Sequence, residues 1–175
     1  GKRMRPLTAN RPKVLLPAGA EPLIHRLVRQ LAAAHIRDIT IVTHYQAASI
    51  EASVGDGARW GVKVSYAPQG APRGTGHALA AAKPPHDAPF LALNGDVFLR
   101  DGDIKRLVDA GPGSLAAARV DSPQAYGVFE TKGTKAGRGV EKSTKPPPNP
   151  AHAGVSNRPP GFAPLPRTVT PTPPP

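Results

Sequence analysis

"PFLALNGDV", residues 89–97, is the stretch from which the fold is read. Four apolar residues, Phe90–Leu93, run straight into Asn94-Gly95-Asp96. A short apolar run closed by turn residues predicts a buried strand that ends in a polar turn. Working outward, the segments on either side alternate between two periodicities. Residues 21–35, "EPLIHRLVRQLAAAH", set Leu23, Ile24, Leu27, Val28 and Leu31 on one helical face. The β-branched run Ile39 to Val42 reads as a strand, 46–54 as a helix broken by "GDG", and "VKVSYA" at 62–67 as a second strand. "GTGHALAAA" at 74–82 reads as a loop entering a helix, and "DIKRLVDA" at 103–110 as another helix. "GSLAAARV" at 113–120 and "YGVFE" at 126–130 supply further strands. Helices alternating with strands across short connections predict an α/β domain with a mostly parallel sheet, whose ligands bind beyond the carboxyl ends of the strands.

Composition places this domain within residues 1–145. Of the 23 prolines, twelve lie between Pro146 and Pro175, in a stretch with no hydrophobic period. Residues 146–175 are therefore expected to be a Pro-rich, basic, disordered tail. The net charge of +11 is equally uneven. Residues 1–20 carry five basic and no acidic side chains, residues 21–130 carry eleven of each, and residues 131–175 carry seven basic and one acidic. A specific nucleic-acid-binding domain would show its basic stripe along the folded elements, so none is expected here. There is no cysteine, no secretory signal and no apolar run long enough to span a membrane. The expectation is a soluble cytoplasmic protein without a membrane partner; a homo-oligomer is compatible with the sequence.

Three places carry chemistry. Asp96 puts a carboxylate at the end of a buried strand, although "NGD" is also ordinary turn chemistry. One carboxylate is a sparse ligand set, which suits Mg²⁺, an ion that keeps waters and shares substrate phosphates. Gln69 offers a donor and an acceptor together, and "GTGHA" at 74–78 lets a ligand approach free N–H groups at a helix start. His77 reads there as a helix-start residue rather than a catalytic base. The opening stretch, "GKRMRPLTANRPKVLLP", carries Arg3 and Lys13 around Pro6 and Pro12, with Leu15 and Leu16 as an anchor. Cations on a restrained loop suit a ligand with several phosphates, and a solvated basic segment is the competing reading.

That opening stretch resembles the signature loop of the sugar-phosphate nucleotidylyltransferases. The similarity continues through "PLIHRLVRQLAAAHIRDITIV", "WGVKVSYAPQGAPRGTGHAL", "FLALNGDV" and "YGVFE…VEK", in the family's order. Gln69 followed by Gly74-Thr75-Gly76-His77-Ala78 looks most like the N-acetylglucosamine-1-phosphate uridylyltransferase branch, including its bifunctional archaeal-type members. The resemblance implies a Rossmann-like nucleotide-diphospho-sugar transferase fold, incomplete here, and an enzyme using Mg²⁺. It implies that UTP and a sugar-1-phosphate react to give a UDP-sugar and pyrophosphate. It implies catalytic roles for Arg3 and Lys13 on the phosphates, and nucleotide contacts at Gly1, Gln69, Gly74 and Thr75. Asp96 would hold the metal, and Gly127 and Glu141 match positions that contact the sugar.

The sequence also departs from the family pattern. Of the family's Ala-Ala-Gly-x-Gly turn only Gly1 is matched, "NPAHAGVS" has His152 where Asn is usual, and no second metal ligand is matched. These departures predict a poor catalyst. The alternatives carried forward are a catalytically impaired member that binds nucleotide or a partner, a thymidylyl- or guanylyltransferase of the same family, and a basic protein whose tail binds nucleic acid.

Overall fold

The computed structural model describes Met4 and residues 6–8, 10–71, 73–121, 127–132, 135–141 and 150–162. Its elements run in the predicted alternation. After a 3₁₀ turn at Lys13–Leu15 come α1 (Leu23–Ala33), β1 (Asp38–Thr43), α2 (Ala47–Val54) and β2 (Lys63–Pro68). Then follow α3 (Thr75–Ala82), β3 (Phe90–Leu93), α4 (Asp103–Asp109), β4 (Leu115–Ala118), β5 (Gly127–Lys132), β6 (Lys135–Glu141) and β7 (Ala151–Arg158).

The strands form two sheets. β1 and β2 pair in parallel, from Asp38 opposite Lys63 to Thr43 opposite Pro68. The second sheet has the order β3-β7-β5-β6, with β4 also on β7. Its ladders are antiparallel. The α/β class expected from the sequence is the one observed, but among the described residues the parallel pairing is confined to β1–β2 and the sheet is not mostly parallel. Among the described residues, β1 and β3 each have one edge without a strand partner.

α1 joins the two sheets. Pro22 sets an extended backbone before the helix, and the stripe Leu23, Ile24, Leu27, Val28, Leu31 is buried as its 3.6-residue spacing requires. Leu27 and Leu31 pack with Leu99, Ile104, Leu107 and Val155, against Leu91 and Leu93 of β3. Ile24 and Val28 pack with Ile50, Val54, Val62 and Val64. Ile39 of β1 touches both groups. One helix face therefore fixes β1 relative to β3 without a ladder between them.

The expected tail needs correcting. Residues 151–158 form β7, which pairs with β3, β4 and β5. Ala151 and Val155 are 2% and 1% exposed. "AHAGVSNR" has weak strand propensity and no alternation, but three neighbouring strands supply backbone partners and a core to fill, and that tertiary context outweighs propensity. The ordered part of the chain thus extends past residue 145. Residues 163–175, the rest of the expected tail, lie outside the described residues.

Candidate active site

Among the described residues, the structure places the sequence-predicted ones in three clusters. In the first, Lys13 Nζ donates to Asp96 Oδ2 at 2.8 Å across 83 residues of chain. Both ends are held from behind. Pro12 O and Lys13 O accept from Leu15 N and Leu16 N at 2.9 and 3.0 Å, closing the 3₁₀ turn, while Val14 and Leu15 pack on the β1–β2 core. Of the anchor expected at Leu15 and Leu16, Leu15 packs on this core, together with Val14. On the other side, Val97 N donates to Asn94 O at 3.2 Å and Asn94 N to Gly154 O at 2.8 Å, tying the "NGD" turn to β7. A Cβ on Gly95 would lie 3.5 Å from Val14 Cγ1, so the turn and the loop lie against each other.

Gly154 is specific to this arrangement. Its φ is +77°, and a Cβ there would come within 2.8 Å of Asn94 Nδ2. Only a residue without a side chain lets Asn94 lie over β7 and so places the turn that carries Asp96. Further on, Arg26 and Gln30 of α1 donate to Leu99 O and to the Asp101 carboxylate. The Gln30 hydrogen bond, then the Arg26 charge, holds the Asp101 carboxyl below the usual carboxylate range. The segment after Asp96 is thereby pinned to the helix.

Lys13 and Asp96 are 37% and 46% exposed at their side chains. An exposed ion pair contributes only about 0–1 kcal/mol to stability. The pair is accessible to a ligand, and the local fold rests instead on the buried anchors behind it. Asp96 supplies hard oxygen donors at an open position, which fits Mg²⁺ bound largely through water and substrate phosphate. Among the described residues no three carboxylate, His or Cys side chains gather as a metal cage.

The second cluster centres on Gln69. Its N–H donates to Thr43 O at 2.7 Å, extending the β1–β2 ladder by one residue. Its carbonyl lies 3.0 Å from His44 Nδ1, which must carry the proton because a carbonyl only accepts. Its side-chain Nε2 lies 3.4 Å from Gly74 O and 3.0 Å from His77 Nδ1. Gly74 precedes α3 with φ +98° and ψ 176°, a backbone that favours glycine, and Thr75 opens the helix. The first hydrogen bond of α3 runs from Ala78 N to Gly74 O at 3.1 Å, so the preceding turn of N–H groups faces outward. His44 and His77, one dismissed and one unread as ligand-site residues in the sequence, are what hold Gln69. A His after a strand end and a His at a helix start are the only sequence signals for them.

In the third cluster, Gly127 of β5 is directly opposite Glu141 of β6 in the antiparallel register. His152, flagged in the sequence only as a departure from pattern, stands next to Phe129 in an edge-to-face contact with ring centroids 5.8 Å apart. Gly154 N donates to its Nδ1 at 3.2 Å. Gly1 and Arg3 lie outside the described residues.

The described residues thus set the Lys13 cation against a strand-end carboxylate, and a glutamine beside a glycine-started helix. The profile of the nucleotidyl transferase family matches residues 1–156. The chain belongs to that family. It is 34% identical over 162 residues to a mannose-1-phosphate guanylyltransferase of Mycobacterium tuberculosis, covering 88% of this chain and 45% of that one. It is 34% identical to a glucose-1-phosphate thymidylyltransferase of Mycolicibacterium smegmatis, covering 89% and 55%. It is 32% identical to the bifunctional protein GlmU of Methanococcus maripaludis, covering 74% and 30%. This nucleotidyl transferase chain spans about half the length of the curated relatives it matches. In fold it resembles a protein of Bacillus anthracis assigned as a glucose-1-phosphate thymidylyltransferase and solved with sucrose, with TM-score 0.81, 26% identity and coverage of 90% and 67%. A UDP-glucose pyrophosphorylase solved with UDP-glucose shares the fold at TM-score 0.77 and 22% identity, with coverage of 91% and 72%.

Proposed function

We propose that this chain carries the nucleotide-binding part of a sugar-1-phosphate nucleotidylyltransferase. The observation that carries the reading is the contact of Lys13 Nζ with Asp96 Oδ2 at 2.8 Å, which sets a loop cation suited to phosphate against a strand-end carboxylate suited to a metal ion. UTP with N-acetylglucosamine-1-phosphate is the substrate pair we put first, on the pattern Gln69…Gly74-Thr75-Gly76-His77. The names of the relatives support a second reading, in which dTTP or GTP takes the place of UTP. A cytoplasmic setting goes with either.

The chemistry follows from the residues. A phosphate oxygen of the sugar-1-phosphate attacks the α-phosphorus of the nucleoside triphosphate, a new P–O bond forms, and the bond to the β-phosphate oxygen breaks, releasing pyrophosphate. The attacking oxygen is already anionic, so no general base is required. Lys13, with Arg3, neutralises charge that builds on the departing pyrophosphate. Asp96 would hold Mg²⁺, which when bound supplies further neutralisation of the phosphates. For Lys13 to reach the phosphates it leaves Asp96, which frees that carboxylate for the metal. Gln69 and the Gly74–Thr75 backbone orient the base, and Gly127 and Glu141 take the sugar. Holding both substrates in line carries the rest of the rate.

Pyrophosphate release is the test. UTP, dTTP and GTP are each offered with N-acetylglucosamine-1-phosphate, glucose-1-phosphate and mannose-1-phosphate in the presence of Mg²⁺. Release above background in one pair, abolished by Asp96→Ala, is the expected outcome. Absence of both turnover and Mg²⁺-dependent nucleotide binding would refute the proposal.

A further inference from the structure

We propose that His77 is a positioning residue that locks Gln69 as a hydrogen-bond acceptor, so that the site selects bases bearing a ring N–H. The inference rests on the reading of Gln69 as the base-contacting residue. A glutamine amide carries two N–H donors on nitrogen and lone pairs on oxygen, and its orientation decides which it shows. Here the orientation is determined by its neighbours. Gly74 O is a carbonyl and only accepts, so the orientation that gains a hydrogen bond there puts the amide nitrogen 3.4 Å from it. The second N–H of the same nitrogen then points to His77 Nδ1 at 3.0 Å, which accepts it with its own proton on Nε2. Both donors are thereby engaged inside the protein, and Oε1 has no partner among the described residues. The sequence reading, that Gln69 offers a donor and an acceptor together, is narrowed to an acceptor alone.

The rest of the local structure keeps that orientation. Gln69 cannot slide, because its own N–H is bonded to Thr43 O at 2.7 Å and its carbonyl is held by His44. Gly74 O cannot turn away, because it also accepts from Ala78 N as the first bond of α3. An acceptor held in one place matches uracil, thymine and guanine, which each carry a ring N–H beside a carbonyl. Adenine and cytosine present an unprotonated ring nitrogen at the corresponding edge, and two lone pairs would oppose each other. An acceptor-only glutamine in this chain is therefore compatible with UTP, dTTP or GTP and opposes ATP and CTP. His77 does this without touching the base.

Titration calorimetry of the full chain with Mg²⁺ tests it. The ligands are the tightest-binding of UTP, dTTP and GTP and the analogue methylated on the ring nitrogen (N3-methyl for a pyrimidine, N1-methyl for guanine). The proteins are the wild type, Gln69→Ala, His77→Leu and His77→Asn. The wild type should prefer the unmethylated ligand by about tenfold, the size of one hydrogen bond to a fixed partner. His77→Leu should bring that preference to within about threefold, by loosening Gln69 and not by unfolding, since the residue is exposed. His77→Asn should restore most of it, because Asn Oδ1 accepts from the place His Nδ1 occupies. If His77→Leu keeps the full preference while Gln69→Ala loses it, the lock is refuted and the base reading stands. If Gln69→Ala keeps it too, or the wild type shows none, the base reading fails and the lock fails with it.

Discussion

The two ends of the candidate site are built on opposite plans. At the proposed phosphate end, Lys13 and Asp96 meet in one exposed ion pair, and the groups directly behind them are apolar or backbone, Val14 and Leu15 under the loop and Gly154 against the Asn94 turn, with Arg26 and Gln30 pinning the segment beyond through Asp101. At the base end, Gln69 is held by four hydrogen bonds from β1, the loop after it, and α3, with no charge among them. On the function proposed above, the difference follows from what each end would recognise. Phosphates and Mg²⁺ are bound by charge, which acts over distance and tolerates imprecise geometry. A base edge is told apart by which atoms carry hydrogen, and this requires a donor or acceptor fixed in direction. The phosphate end should therefore fail through loss of charge, and the base end through loss of orientation.

The largest effect expected is on turnover. Asp96→Ala, or Lys13→Ala, should cut the rate by about 10²–10³, the range for removing one charge-stabilising group. The melting temperature should move by no more than about 2–4 °C, since an exposed pair contributes at most about 1 kcal/mol. A large fall in stability would show that the pair is structural and would break the contrast.

Next come two glycines, one behind each end. Gly154→Ala forces a Cβ to within 2.8 Å of Asn94 Nδ2 at φ +77°, and Gly57→Ala forces one to within 2.7 Å of Val62 O at φ +87°. Each should cost about 1–3 kcal/mol, as strain at a left-handed position does. The functional consequences should separate. Gly154→Ala should weaken Mg²⁺-dependent binding and leave base preference intact. Gly57→Ala should lower stability in chemical denaturation with both ligand responses unchanged.

The smallest effect concerns His25, on α1 beneath the β1–β2 half. Its Nε2 lies 2.8 Å from Ser53 Oγ and 3.0 Å from an Arg59 nitrogen. Burial first, and the Arg59 charge second, push its pKa below 6.5. A group whose folded pKa is depressed binds fewer protons in the folded than in the unfolded state. Its contribution is therefore complete above pH 6.5 and is lost as pH falls through the folded value. Denaturant midpoints between pH 7.5 and 5 should fall less for His25→Gln than for the wild type. An equal fall would show that His25 carries no part of it.

Much of the fold was legible along the chain. Each helix predicted between residues 21 and 110 is present, and the five predicted α1 positions are buried, with Gln30 a sixth that the apolar pattern did not mark. Strand existence was legible where β-branched or aromatic residues gather, as in "ITIV", "VKVSYA" and "FLAL". β6 and β7 were not. "KAGRGVE" and "AHAGVSNR" are rich in Gly, Ala and polar residues, and β7 is a strand because β3, β4 and β5 surround it. Of the site, residue types were legible and their engagement was not: Gln69 could be picked out, while the use of its two donors depends on Gly74 and His77.

By itself, then, the sequence determined the helical faces, the turns and the residues with suitable chemistry. These depend on neighbours within a few positions, where 3.6- and 2-residue periods and the turn preferences of Asn, Gly and Pro apply. The tertiary structure alone decided that the parallel pairing is confined to β1 and β2 while the second sheet is antiparallel, and that β7 enters the core. It also decided that Lys13 reaches Asp96 and that Gln69 shows an acceptor. Strand partners and through-space contacts join residues tens of positions apart. A backbone N–H or a side-chain amide can bond to many partners, and only the path of the folded chain selects one.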